Sequence, residues 1–128
     1  MTVFCYLQVK SIQNIKFEFE GKKDLVNFLP DLLILEADNH SEAFTIQQSA
    51  ELLKKGDNIV TFIEVEKDEK IGSLAKIFEA LRKNNKTKIL VTGQNMMLEK
   101  LAKMFPKEFQ RISSNEDIQK RIIKLLKP

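Results

Sequence analysis

The residues of this chain that could do chemistry are carboxylates and amides placed just after apolar runs. Glu36 and Asp38 follow Leu32 to Leu35, Glu64, Glu66 and Asp68 follow Ile59 to Ile63, and Gly93, Gln94 and Asn95 follow Ile89 to Thr92. If the runs are parallel strands, these side chains collect with Asn39 and Thr92 at one end of a sheet, where α/β proteins bind ligands. Acids gathered there could hold Mg²⁺ or serve as general acid and base. No spacing among them enforces either role, and solvated loop acids are the plainer reading. Gly93 also opens a helix after a strand, a place where backbone N–H groups can receive phosphate. With neither a G-x-G-x-x-G nor a G-x-x-x-x-G-K-[ST] pattern around it, a tight turn is the simpler account.

Other reactive types are scarce. His40 is the only histidine and Cys5 the only cysteine, so neither a Cys/His zinc set nor an internal disulfide can form. His40 has no neighbouring nucleophile to activate and reads as a loop histidine. Cys5 shares an alternating face with Val3 and Leu7, where a thiol packs as a small apolar group. Ser73 is the only hydroxyl near the start of the helix after the second central strand. Met96, Met97 and Met104 beside Phe105 could form an adaptable surface, although methionines at helical spacing usually fill a core. The inventory lacks a catalytic set, so the chain is expected not to be an enzyme and to need no cofactor.

What must position these residues is a core, and 128 residues suffice for one without metal or disulfides. The chain reads as a single domain spanning 1–128. Residues 1–70 hold 8 Lys/Arg against 13 Asp/Glu (−5), and residues 71–128 hold 13 against 5 (+8). Such polarity can steer an acidic partner, while a lysine-covered surface on amphipathic helices explains it more simply. Nearly all the cations are Lys and no aromatics are interleaved with them, which disfavours nucleic acid. No leader pattern and no apolar run near ~20 residues is present, so membrane insertion is not expected and a cytoplasmic location follows as the default.

From Leu32 onward, short apolar runs alternate with segments of helical period, the pattern of repeated βα units. Strands are expected at 32–35, 59–63, 88–92 and 109–112. Helices are expected at 41–55, capped by Asp38 or Ser41, at 71–83, at a segment carrying Met97, Leu98 and Leu101 that Pro106 stops, and at a last segment capped by Ser113 or Ser114, with Glu116 and Asp117 in its first turn. The opening is different. Val3, Cys5, Leu7 and Val9 alternate with Phe4, Tyr6 and Gln8, and Ile15, Phe17 and Phe19 alternate with Lys16, Glu18 and Glu20. Both segments read as strands joined in an antiparallel hairpin, the second at a sheet edge, with a helical turn at 24–29 before Pro30.

This order resembles the STAS domain, the fold of anti-sigma-factor antagonists and of sulfate-type transporter tails. Residues 81–93 look like its helix–turn–strand segment and 109–118 like its last strand and helix start. The resemblance implies an α/β fold with a mixed sheet, an N-terminal antiparallel hairpin and then βαβαβαβα, acting as a regulatory or protein-interaction domain. Its Asp-Ser-Ser/Thr-Gly phospho-acceptor turn would fall on Lys70-Ile71-Gly72-Ser73-Leu74, where acid, acceptor and glycine do not align. A second resemblance is to response-regulator receiver domains, because Ile89 to Gly93 looks like their strand ending in Thr. That implies a flavodoxin-like three-layer αβα fold, but the receiver's acidic pair, its phospho-accepting Asp (Glu36 and Glu64 stand at comparable strand ends) and its Lys after the short strand are not matched.

The leading expectation is therefore a non-enzymatic domain that binds a protein through Glu36, Asp38, Glu66, Asp68, Ser73, Gly93, Gln94 and Asn95, together with the helix at 71–83. A homodimer through the edge near Phe17 and Phe19 is a further possibility. The alternatives are a degenerate receiver-like domain, or a small Mg²⁺- or nucleotide-binding protein using Glu36, Asp38, Glu64 and Glu66.

Overall fold

The computed structural model describes residues 1–105, 109–113 and 117–127. Its strands are β1 (Thr2–Val9), β2 (Leu33–Asp38), β3 (Asn58–Val65), β4 (Thr87–Thr92) and β5 (Gln110–Arg111). The helices are α1 (Lys22–Phe28), α2 (Ala43–Leu53), α3 (Ala75–Lys83), α4 (Met96–Ala102) and α5 (Ile118–Leu126), with 3₁₀ turns at Ile12–Asn14 and Gly72–Leu74. All five strands run parallel in the order β2-β1-β3-β4-β5. This is the flavodoxin-like order, which reverses direction at β1 and β3.

Parity in the central strands explains the layers. Val3, Cys5, Leu7 and Val9 of β1 join Ile59 and Ile63 of β3 in one core with α2, α3 and α4, built on Ile46, Leu53, Ile77, Phe78 and Leu98. The even positions Phe4, Tyr6, Val60, Phe62 and Leu90 face the other way and pack with α1 through Leu25 and α5 through Ile122 and Leu126. Each such side chain, fully removed from water, contributes roughly 1.5–3 kcal/mol. A sheet covered on both faces needs strands that are apolar at both parities.

The antiparallel hairpin does not form. β1 is an interior strand hydrogen-bonded to β2 and β3, and its alternation separates two apolar faces instead of a buried and a wet one. Residues 15–20 are not a strand. The Gln8 side chain holds them, its Nε2 donating to the Lys16 carbonyl at 3.0 Å while its Oε1 accepts from Lys16 N–H at 2.8 Å. Phe19 then drops onto Phe4 and Tyr6, with ring centroids at 5.0 and 5.3 Å, and Phe17 points into solvent. The edge strand expected near Phe17 and Phe19 is thus absent, and with it the surface on which a homodimer was expected. The antiparallel hairpin that the STAS resemblance implies is therefore missing, and a helix, α1, over the expected turn at 24–29, lies between the first two strands.

Smaller differences have local causes. β2, at the sheet edge, is half-buried, with Leu33 and Leu35 packed on one face and Ile34 on the other. Neither Asp38 nor Ser41 caps α2, which begins after Glu42, because both side chains bind within their own loop. Asp117, whose side chain accepts from Lys120 N–H, caps α5 in place of Ser113; Pro106, Ser114 and Glu116 lie outside the described residues. No helix among the described residues is long and apolar enough to cross a membrane.

Candidate functional site

The reversal of strand order places the candidate site at the carboxyl ends of β1, β3 and β4. In register there, Gln8 of β1 lies beside Glu64 of β3, and Glu64 beside Thr92 of β4. Glu64 extends on the α1/α5 side of the sheet and is surrounded by donors. Lys10 Nζ lies 2.7 Å from its Oε1, Lys16 Nζ lies 3.3 Å from its Oε2, and the Tyr6 hydroxyl donates to Oε1. Lys10 also donates to Gln8 Oε1 at 3.0 Å. Both members of the main ion pair are largely withdrawn from water, with side chains 11% and 15% exposed.

The electrostatics follow from this enclosure. Burial by itself would raise the Glu64 carboxyl, but hydrogen bonds from Lys10 and Tyr6 and the charges of Lys10 and Lys16 outweigh it, leaving the group below its ordinary range. Burial first, then the bond to Glu64 and its charge, push the Tyr6 phenol far above its usual value. Glu64 is thus held as a carboxylate, with three protein donors on it. It does not have the raised pKa of a general acid.

The carboxylates singled out from sequence do not converge. Glu36 accepts from Phe19 N–H at 2.8 Å and from Lys22 Nζ at 2.7 Å, fastening the segment before α1 to β2. Glu66 accepts from Ser11 N–H at 2.7 Å and Asn14 Nδ2 at 2.8 Å, which holds the turn after β1; the Ser11 bond is the main reason its carboxyl sits below the ordinary range. Asp38 Oδ1 takes the His40 N–H at 2.7 Å, and the His40 ring nitrogen Nε2 donates to the Lys10 carbonyl at the same distance. Asp68 belongs to the loop after β3. Among the described residues no group of three His, Cys, Asp or Glu is placed to hold a metal ion.

Of the remaining candidates, three are tied into the fold and two line a groove. Ser73 Oγ donates to the Ser41 carbonyl at 2.8 Å, joining the start of α3 to the loop before α2. Gly93 adopts φ +92°, and a Cβ there would collide with the Val65 carbonyl oxygen, so the β4–α4 turn requires glycine. Asn95 is 2% exposed; its Oδ1 caps α4 by accepting from Leu98 N–H, and its Nδ2 donates to the carbonyls of Glu66 and Glu69. Gln94 and Asp68 face each other across a groove of about 360 Å³ between the β3–α3 and β4–α4 loops, with Met96 and Met97 on its wall. Cys5 is fully buried, which pushes its thiol up to about 12 and removes it as a nucleophile.

Several residues that organise this end were not singled out from sequence. Lys10, Gln8, Tyr6 and Lys16 make the Glu64 cluster. Asn39, a strand-end candidate from sequence, joins three loops: its Oδ1 accepts from Lys10 N–H at 3.1 Å and its Nδ2 donates to the Lys70 carbonyl at 2.9 Å. A lysine directly after an apolar strand was the available signal for Lys10. Around this polar centre, Ile12 (70% exposed), Phe17 (98%) and Met96 (70%) project from the same set of loops. No protein-family model matches the chain, nor does any curated protein or solved structure.

Proposed function

We propose that this chain is a non-catalytic protein-interaction domain on a receiver-like scaffold, with the carboxyl ends of β1, β3 and β4 facing its partner. The observation that carries the reading is the pairing of a closed polar centre with an apolar rim. Glu64 is neutralised by Lys10, Lys16 and Tyr6, while Ile12, Phe17, Met96 and Met97 stand exposed at the same end of the sheet. Exposed apolar groups gathered at one end of a fold mark docking surfaces. Of the two family resemblances, the receiver one is favoured by the 2-1-3-4-5 order and by Thr92 at the end of β4. It is a degenerate version. Glu64 stands at the strand end comparable to the phospho-accepting Asp, Gln8-Val9-Lys10 carries no acid where the acidic pair belongs, and no Lys ends the short strand.

A thermal-shift titration with Mg²⁺ and with nucleotides tests this against the small-ligand alternative. A ligand bound at a hundredfold excess over its Kd stabilises the fold by ~2.7 kcal/mol. The proposal predicts an unmoved Tm across the panel, and a saturable rise with either ligand would contradict it.

A further inference from the structure

The two edges of the sheet are finished differently. β5 is two residues long and carries Arg111, and short or charged edges resist pairing with other chains. β2 has six residues, pairs with β1 in unbroken register from Leu33 to Asp38, and contains no Lys, Pro or bulge. Its outward row of backbone groups can be assigned. Asn39 N–H bonds inward to the Gln8 carbonyl of β1, whereas Asp38 N–H turns outward to Ser41 Oγ. Odd positions of β2 therefore serve β1, and the N–H and C=O groups of Ile34 and Glu36 point away from the sheet, without a backbone partner among the described residues.

The side chains along this edge form an apolar strip. Leu33 and Leu35 are half-buried on the α2 face and Ile34 on the α1 face. Val26 lies one helical turn after Lys22, which reaches β2 through Glu36, so it shares that flank and is 41% exposed. Charge selects among possible occupants. Residues 24–42 contain Asp24, Asp31, Glu36, Asp38 and Glu42 and no Lys or Arg. Even with Lys22 and Lys23 counted, the five acids leave this stretch negative, and two copies paired edge to edge would bring like charges together, which disfavours that complex.

We propose that β2 is a docking edge for an extended segment of another protein, apolar in the positions facing Leu33, Ile34 and Leu35 and basic in those beside Asp38 and the flanking acids. The segment adds a sixth strand, bonded to the backbone of Ile34 and Glu36. This site is separate from the carboxyl-end surface and stands or falls independently of it.

The test uses the full chain and a fluorescent Val/Lys peptide, a run of three Val flanked by Lys, compared with a Val/Glu peptide in which Glu replaces each Lys and with a Val/Lys peptide N-methylated at alternate residues. Saturable binding is expected for the Val/Lys peptide, weakened at least about tenfold by N-methylation, by replacing Lys with Glu, or by Ile34→Lys. In amide exchange, the peptide should slow Ile34 and Glu36 selectively. That readout needs no variant, so a misfolded Ile34→Lys protein leaves the test intact. No saturable binding, equal binding of the Val/Glu peptide, or protection elsewhere than β2 would overturn the proposal, as would peptide-free dimerisation through β2.

Discussion

The centre and the rim of the carboxyl end obey opposite rules. At the centre, Tyr6, Gln8, Lys10, Lys16 and Glu64 bond to one another, and the Lys10–Glu64 pair is largely withdrawn from water. At the rim, Ile12, Phe17, Met96 and Met97 are apolar side chains that the fold leaves in water. A reaction centre needs the reverse arrangement, with available polar groups inside an apolar wall. The contrast separates what this end spends on stability from what it can spend on a partner.

The largest effect is expected at Lys10. Lys10→Met strands the buried Glu64 carboxylate and should destabilise the fold by about 3 kcal/mol, whereas Lys10→Met with Glu64→Gln should recover much of the loss. Urea midpoints of the three proteins measure this. If the single and double variants are equally unstable, Lys10 acts through packing and the centre is not held by charge.

Next comes Asn95→Ala, which removes a helix cap and two bonds to the β3–α3 loop and should cost about 2 kcal/mol by the same assay. The centre also predicts a pH dependence. Glu64 titrates below its ordinary value of 4.5 when folded, so its contribution is present above about 4.5 and lost as pH falls through the folded-state value. In Lys10→Met burial is no longer outweighed, and the drop in urea midpoint between neutral and acid pH should shrink. The smallest effect belongs to the rim. Phe17→Ser, at a residue 98% exposed, should leave stability within about 0.5 kcal/mol. A larger loss by thermal melting would mean that Phe17 packs in the fold instead of awaiting a partner.

The βα rhythm after Leu32 was legible because strands covered on both faces and amphipathic helices leave distinct periods. In the opening thirty residues the strand at 3–9 and the helical turn at 24–29 were legible, but the pairing was not, for a physical reason: the alternation in β1 separates two apolar faces, and alternation alone cannot distinguish that from a half-exposed hairpin strand. Residues 15–20 compounded the error, since Phe17 and Phe19 do point opposite ways, but on an irregular segment tied down by Gln8 and Glu36. That the strand-end residues lie at one end of the sheet was readable from the apolar runs. The content of that end was not, because whether Glu64 is free or consumed depends on Lys10 and Lys16, 54 and 48 residues away in sequence.

The central claim, that this end binds through its rim while its polar centre is closed, is most directly tested by amide NMR of the full chain with Mg²⁺ and a small phosphodonor such as acetyl phosphate, followed by intact-mass analysis. The amides of Lys10, Glu64 and Thr92 should stay in place and no phosphoryl mass should appear. Saturable shifts at those three residues, or a phosphoryl group on Glu64, would show an open, chemically competent centre and contradict the account.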